Sequence, residues 1–266
     1  MVTFPDGARI VLGNEGGRPI HRGTVAVRGP CAPSREELMA LGLTEPQALA
    51  LDFVLAWFGH PFDSVTSEPP PGGEPRWGAW PLSGLTLTTA IARWKQREPE
   101  VFEARLGRLG LGAILEPPPE PRLPGSSNAS PTAGPEALFA EDPRLLAALA
   151  RAGRERGAQR AQLETLVTHV LRPMLDSCAQ AETAVDAPGG LFASARALAL
   201  LFHAELRFGR QGVTRLVTLA RERPEPPVAG EHAGERLAED LRASGRSREA
   251  SELWRVLTSP ELAGPA

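Results

Sequence analysis

The stretch that decides the fold of this chain reads Thr44-Glu-Pro-Gln-Ala-Leu-Ala-Leu-Asp-Phe-Val-Leu-Ala-Trp-Phe-Gly59. Thr44 and Gln47 match a capping box, and Pro46 lies in the first turn, where its missing N–H costs nothing. The residues that follow are apolar on nearly every side of a helical wheel, which is typical of a helix buried on several faces. We therefore predict a helix from Glu45 to Phe58, ended by Gly59, at the centre of a helical body.

Helical signals continue on both sides of this stretch. Ser34 and Glu37 form a second capping box, an amphipathic run ends near Trp94, and Pro99 is placed to open another short helix. Pro173 is expected to kink or break a helix that it interrupts. The further predicted helices cover about 143–156, 158–178, 191–208, the run from Gly212 to before Arg223, 231–243 and 247–257.

The first 30 residues differ from the rest, because short β-prone runs alternate there with turn signals such as Pro5-Asp6-Gly7. They predict a small β-hairpin or meander. The predicted fold class is therefore mainly α with a small N-terminal β element. The predicted domains are a β-rich element (1–33), a helical body (34–223) interrupted by a Pro-rich linker (116–135), and a C-terminal helical pair (229–266).

The bulk composition excludes several classes of function. The chain has 266 residues, a formal net charge of -3 and 42% apolar residues, which offers no global charge for binding nucleic acid or an anionic membrane. No signal peptide or uncharged apolar run of membrane-spanning length is visible, so the cytoplasm is the default expectation. Cys31 and Cys178 have no metal-ligand spacing, and two thiols are expected rather than a disulfide. We predict neither a metal nor a cofactor.

Three short runs resemble a bacterial family with a lysozyme-like fold, related in architecture to chitosanases and peptidoglycan hydrolases. They are Phe58-Gly-His-Pro-Phe-Asp-Ser-Val65, Arg76-Trp-Gly-Ala-Trp-Pro-Leu82 and Arg97-Glu-Pro-Glu-Val-Phe102. Weaker echoes occur at Val170-Leu-Arg-Pro173 and Leu200-Leu-Phe-His203. The resemblance implies a lysozyme-like helical domain and a groove for a glycan or peptidoglycan fragment.

Two departures from that family concern its chemistry. Phe58 stands where the resemblance places the general-acid glutamate, and Pro81 stands where it places a glutamine. A phenyl ring cannot protonate a leaving oxygen, so the resemblance implies a groove without catalysis. The side chains expected to line that groove are Phe58, Asp63, Trp77, Trp80 and His203.

Each of these positions also has a structural interpretation. Asp63 is a candidate second carboxylate, but an aspartate that caps a helix or braces a loop is the commoner case. Trp77 and Trp80 suit sugar stacking and core packing equally well, and His203 suits a core or groove position. Glu68 and Glu15 are candidate replacement acids, although both lie in turn or loop sequence, where a carboxyl keeps an ordinary pKa.

Three hypotheses follow. The first is a catalytically inactive lysozyme-like protein that binds glycan. The second is an interaction module whose C-terminal helices dock a protein partner. The third is an active glycoside hydrolase that uses Glu68 or Glu15.

Overall fold

The computed structural model describes residues 1–4, 6–15, 18–27, 33–67, 75–106, 143–183, 190–222 and 229–263. Over these residues the chain is mainly helical, with short strands that begin at the N-terminus, which confirms the predicted fold class. None of the helices in these ranges combines the length and apolar content that crossing a bilayer requires. The predicted linker 116–135, Glu68 and Cys31 lie outside the described residues.

The strands form three antiparallel pairs, β1 with β2, β3 with β4 and β5 with β6. Val2 lies opposite Ile10 in the first pair, and Val65 lies opposite Trp77 in the third. An isolated bridge between His21 and Val65 connects the N-terminal segment to the third pair. The strands are β1 (Val2–Thr3), β2 (Arg9–Ile10), β3 (Gly13–Glu15), β4 (Arg18–Ile20), β5 (Val65–Ser67) and β6 (Pro75–Trp77).

The helices follow the sequence signals closely. In the described ranges they are α1 (Arg35–Ala40), α2 (Glu45–Phe58), α3 (Gly84–Arg97), α4 (Pro99–Arg105), α5 (Pro143–Ala152), α6 (Arg156–Thr165), α7 (Arg172–Thr183), α8 (Ala195–Glu222), α9 (Ala229–Ala243) and α10 (Ser247–Thr258). A π-helical segment (Leu166–Leu171) precedes α7, and a 3₁₀ turn (Pro260–Leu262) follows α10.

The local reasons for these bounds are visible at single residues. The π-helical segment ends at Leu171, and Pro173, which has no N–H for the helical ladder, is the second residue of α7. Near Pro173 the structure therefore shows a change of helix type and not an interruption of the helical run. At Gly209 the long helix α8 is kinked, with φ at 61°. Gly59 ends α2 with φ at −66°, not in the left-handed conformation; a Cβ there would lie 2.5 Å from the Leu55 carbonyl oxygen.

The chain divides into two compact units, Met1–Cys31 with His60–Leu166 and Ala32–Gly59 with Val167–Ala266. This division differs from the predicted segments 1–33, 34–223 and 229–266. The N-terminal strands share a unit with α3 to α6, and α1 and α2 share a unit with α7 to α10. The cause is long-range burial, since α2 is apolar nearly all round and packs against α8, far away in sequence.

In the first unit, α3 lies against α6, and α5 contacts the β1–β2 and β5–β6 pairs. Its core contains Trp77, Trp94 and Phe102, and the last two rings meet edge to face at 5.4 Å. In the second unit, α8 contacts α2, α9 and α10, while α9 also packs on α10. The buried residues of α2 include Leu51, Val54 and Leu55, which confirms its predicted burial.

Candidate functional site

Asp63 lies in the short turn between α2 and β5, and its carboxylate is fully buried. Oδ1 accepts hydrogen bonds from the backbone N–H groups of Thr24 at 2.7 Å and Val25 at 2.8 Å. Oδ2 lies 3.2 Å from the Thr24 hydroxyl, 3.2 Å from Arg154 Nε and 3.5 Å from His21 Nε2. A carboxylate offers about four lone-pair positions, so this one is saturated. The arrangement is that of a loop brace.

The electrostatics of Asp63 agree with that role. Burial opposes ionisation, but the hydrogen bonds from His21, from the Val25 and Thr24 backbone and from Arg154 hold its pKa well below the usual range. In return, the hydrogen bond to Asp63 raises the pKa of His21 above its ordinary value. The lowered pKa keeps Asp63 ionised, as the predicted role of a second carboxylate would require, but its oxygens are already occupied by these donors.

Phe58 and His203 are brought together inside the second unit. Their rings meet edge to face with centroids 4.6 Å apart. The ring of Phe58 also meets that of Phe53 edge to face, with a centroid distance of 6.2 Å. Nε2 of His203 lies 3.1 Å from the Glu252 carboxylate, which accepts two hydrogen bonds from the Arg207 guanidinium at 2.8 and 3.0 Å. This three-residue network ties α8 to α10 through a bidentate ion pair.

The pKa values of His203 and Glu252 are both lowered in this network. Burial lowers the pKa of His203, with the Glu252 hydrogen bond opposing it, so the ring is neutral near pH 7. Burial alone would raise the pKa of Glu252, but the hydrogen bond from His203 and the charge of Arg207 lower it to about 2. The two hydrogen bonds from Arg207 hold Glu252 ionised while His203 is neutral.

Trp77 is the last residue of β6, Trp80 lies in the turn that follows it, and both are core side chains. The turn is fastened to α6 by Gln162, a residue that the sequence did not single out. Its Oε1 accepts the Ala79 N–H at 3.3 Å, and its Nε2 donates to the Phe62 carbonyl at 3.2 Å. Gly78 lies over the same amide with φ at 94°, and any Cβ there would collide with it.

The five side chains predicted to line a groove therefore have packing or bonding roles in the structure. Each exposes between 0% and 7% of its surface, which leaves no ring face open to a sugar. Asp63, Trp77 and Trp80 belong to the first unit, and Phe58 and His203 belong to the second. Of the candidate acids, Glu68 lies outside the described residues, and Glu15 occupies β3, with its side chain outside the description.

The C-terminal helices, which are predicted to dock a protein partner, also use their apolar residues for packing inside the second unit. The apolar residues of α9 and α10, among them Ala233, Leu237 and Leu253, are buried, and both helices pack on α8. Their apolar faces are therefore occupied within the second unit. Docking of a protein partner on these helices would have to use their outer, polar faces.

The second unit contains an open cleft between α7 and α8, with a volume of about 390 Å³. Small-molecule sites typically measure about 300–1,000 Å³. Its walls include apolar side chains on both sides: Val170, Met174 and Cys178 from the π-helical segment and α7, and Val213 and Val217 from α8. Met174, Cys178 and Val213 are buried, so they form the floor.

Polar groups surround that floor. Ser177, Thr214 and Thr218 supply hydroxyl groups, while His169, Arg210 and Arg221 are exposed along the edge. Glu205 differs from these three, because its side chain is half-buried in the wall of the cleft. Burial raises the pKa of Glu205, and the charge of Arg210 offsets part of that effect.

Glu205 is not among the site residues predicted from the sequence. A signal was present, since the run Leu198-Ala-Leu-Leu-Phe-His-Ala-Glu205 places a carboxylate at the end of an otherwise apolar helical stretch. The sequence alone does not identify Glu205 as a cleft residue, because the opposite wall of the cleft comes from α7, which is distant in sequence.

Among the described residues, no group of three or more His, Cys, Asp or Glu side chains could hold a metal ion. Comparison of the chain with models of known protein families, with curated proteins and with solved structures finds no match.

Proposed function

We propose that this protein is a binding protein whose ligand, a small organic molecule with an apolar body and a polar end, occupies the cleft between α7 and α8. The observation that carries the proposal is the cleft itself, with its volume of about 390 Å³, its apolar floor and its half-buried carboxylate. An apolar pocket with a few convergent polar groups is the usual form of a small-molecule site.

Binding without hydrolysis is the better-supported form of this proposal. Glycoside hydrolysis needs two carboxyl groups that flank the scissile bond. Glu205 is the single carboxylate among the described residues of the cleft wall. The other deeply buried acid described above, Asp63, is saturated with hydrogen bonds. The remaining polar groups of the cleft suit recognition, because hydroxyl and guanidinium groups orient a ligand through hydrogen bonds.

A substitution that fills the cleft tests the site. We expect Val217→Trp, on the cleft wall, to weaken binding of n-octanol and related eight-carbon probes at least about 10-fold, because the indole occupies the apolar volume. Gln211→Trp is the matched control, because it places the same ring on an exposed position of α8 outside the cleft lining. Isothermal titration calorimetry and saturation-transfer NMR measure the affinity.

Two results would count against the proposal. One is that none of the apolar probes binds; the other is that Val217→Trp and Gln211→Trp bind them equally well. Chitotetraose is included in the same titrations, because the glycan-binding hypothesis remains a prediction of the resemblance. Chitotetraose binding that is insensitive to Val217→Trp would favour the glycan hypothesis over the α7–α8 cleft.

A further inference from the structure

The charged groups of the α7–α8 cleft differ in how far they are removed from water. Arg210 and Arg221 are exposed at its edge, whereas Glu205 is half-buried in its wall. Interactions of an exposed charge are weakened by water and by salt, whereas those of a partly dehydrated charge are stronger. A charged ligand group therefore gains most beside Glu205.

Glu205 also has hydrogen-bonding capacity left over. Within the described part of the chain, no donor makes a hydrogen bond to its carboxylate, and Arg210 acts on it only through charge. Partial burial of a carboxylate without a hydrogen-bond partner costs free energy, which a ligand donor can recover. The half-buried Glu205 thus contrasts with Asp63 and Glu252, whose oxygens are fully engaged.

We infer that Glu205 determines the ligand class of the cleft, and that the cleft selects molecules with an apolar body and a protonated amine. The ammonium donates to the Glu205 carboxylate while the apolar body covers Met174 and Val213 on the floor. This inference rests on the proposed binding function of the same cleft.

The test compares three probes with the same chain length and different heads: octylammonium, n-octanol and octanoate. They are titrated into the full chain at concentrations below those at which they form micelles, and at pH 8, which is well above the ordinary pKa of a glutamate. We expect octylammonium to bind about 10-fold more tightly than n-octanol, which corresponds to one charge-assisted hydrogen bond. Octanoate is expected to bind most weakly.

Substitutions at Glu205 test whether this side chain produces the preference for octylammonium. Glu205→Gln is expected to remove the advantage of octylammonium over n-octanol, and Glu205→Asp to keep part of that advantage. Glu222→Gln is the matched control, because Glu222 is an exposed carboxylate of α8 that lies outside the cleft lining and pairs with Arg236. Circular dichroism confirms that each variant is folded.

The outcomes separate this inference from the proposed function. Tightest binding of octanoate would overturn the inference in favour of recognition by the arginines, while the cleft remained the binding site. Loss of n-octanol binding in Glu205→Gln would also overturn it, because Glu205 would then shape the cleft rather than select the head group. Failure of all three probes to bind would overturn the proposed function as well.

Discussion

At the scale of single residues, the buried acids show how the same residue type serves opposite purposes. Asp63 and Glu252 are surrounded by donors that stabilise their ionised forms, whereas Glu205 has no donor among the described residues. The first two are therefore structural, and the third is available to a ligand. What separates them is the set of groups within hydrogen-bonding distance, most of which are distant in sequence.

Asp63→Asn tests the loop-brace role. The amide cannot accept from every donor that surrounds Asp63, and it removes the charge opposite Arg154 and His21. We expect the free energy of unfolding to fall by about 2–4 kcal/mol. Chemical denaturation measures it, with Asp176→Asn on the exposed face of α7 as control, where a change within about 0.5 kcal/mol is expected. Equal effects at the two positions would refute the brace.

At the scale of elements, α2 is the helix whose role the sequence predicts best. Its capping box is formed, since the Thr44 N–H donates to Gln47 Oε1 at 3.0 Å, and most of its apolar residues are buried. The apolar residues of α2 are spread around the helix, which predicts burial on several sides. The structure agrees, because α2 contacts both α1 and α8.

Leu55→Ala measures how much the burial of α2 contributes. Leu55 exposes 1% of its surface, so its truncation leaves a cavity in the core of the second unit. We expect a loss of about 2–5 kcal/mol of unfolding free energy. Leu85→Ala, on α3, is the matched control: Leu85 exposes 75% of its surface, and an effect below about 0.5 kcal/mol is expected. A loss of that small size at Leu55 would place α2 outside the core.

At the scale of the whole molecule, each compact unit carries an acid with a lowered pKa, the fully buried Asp63 in one and the partly buried Glu252 in the other. Each acid binds its proton more readily in the unfolded chain than in the folded one. The stability that each contributes is therefore present above its unfolded pKa and is lost as the pH falls through the folded pKa. Neutral His203 acts in the same direction, because its unfolded form becomes protonated first.

We therefore expect the free energy of unfolding to decrease steadily as the pH is lowered from about 6 towards about 2. Urea titrations at four or five pH values measure this decrease. Glu252→Gln is expected to flatten part of the decrease between pH 4.5, the ordinary pKa of a glutamate, and about 2, its pKa in the folded chain. His21 acts oppositely, because its raised pKa adds stability that is lost as the pH rises above 6.5. A profile that is flat below pH 6 would contradict the assignment.

The fold class and the approximate positions of most helices can be predicted from local patterns in the sequence. The relevant signals act within one or two helical turns: the capping boxes at Ser34 and Thr44, the proline that opens α4 and the proline near the change of helix type at Arg172. Strand pairing near the N-terminus is similarly local. These features are legible in the sequence because the groups that satisfy each other are near neighbours along the chain.

Long-range packing, in contrast, sets which segments share a unit, which acids have all their hydrogen-bond positions occupied and where a cleft remains. Asp63 is bonded to the segment around Thr24 and to Arg154, and Gln162 is bonded to Ala79. The cleft has residues of α7 on one side and residues of α8, among them Glu205, on the other. Such features depend on which apolar surfaces bury each other across long stretches of chain. No local pattern encodes that choice, since burial energy depends on the area removed from water and not on separation in sequence.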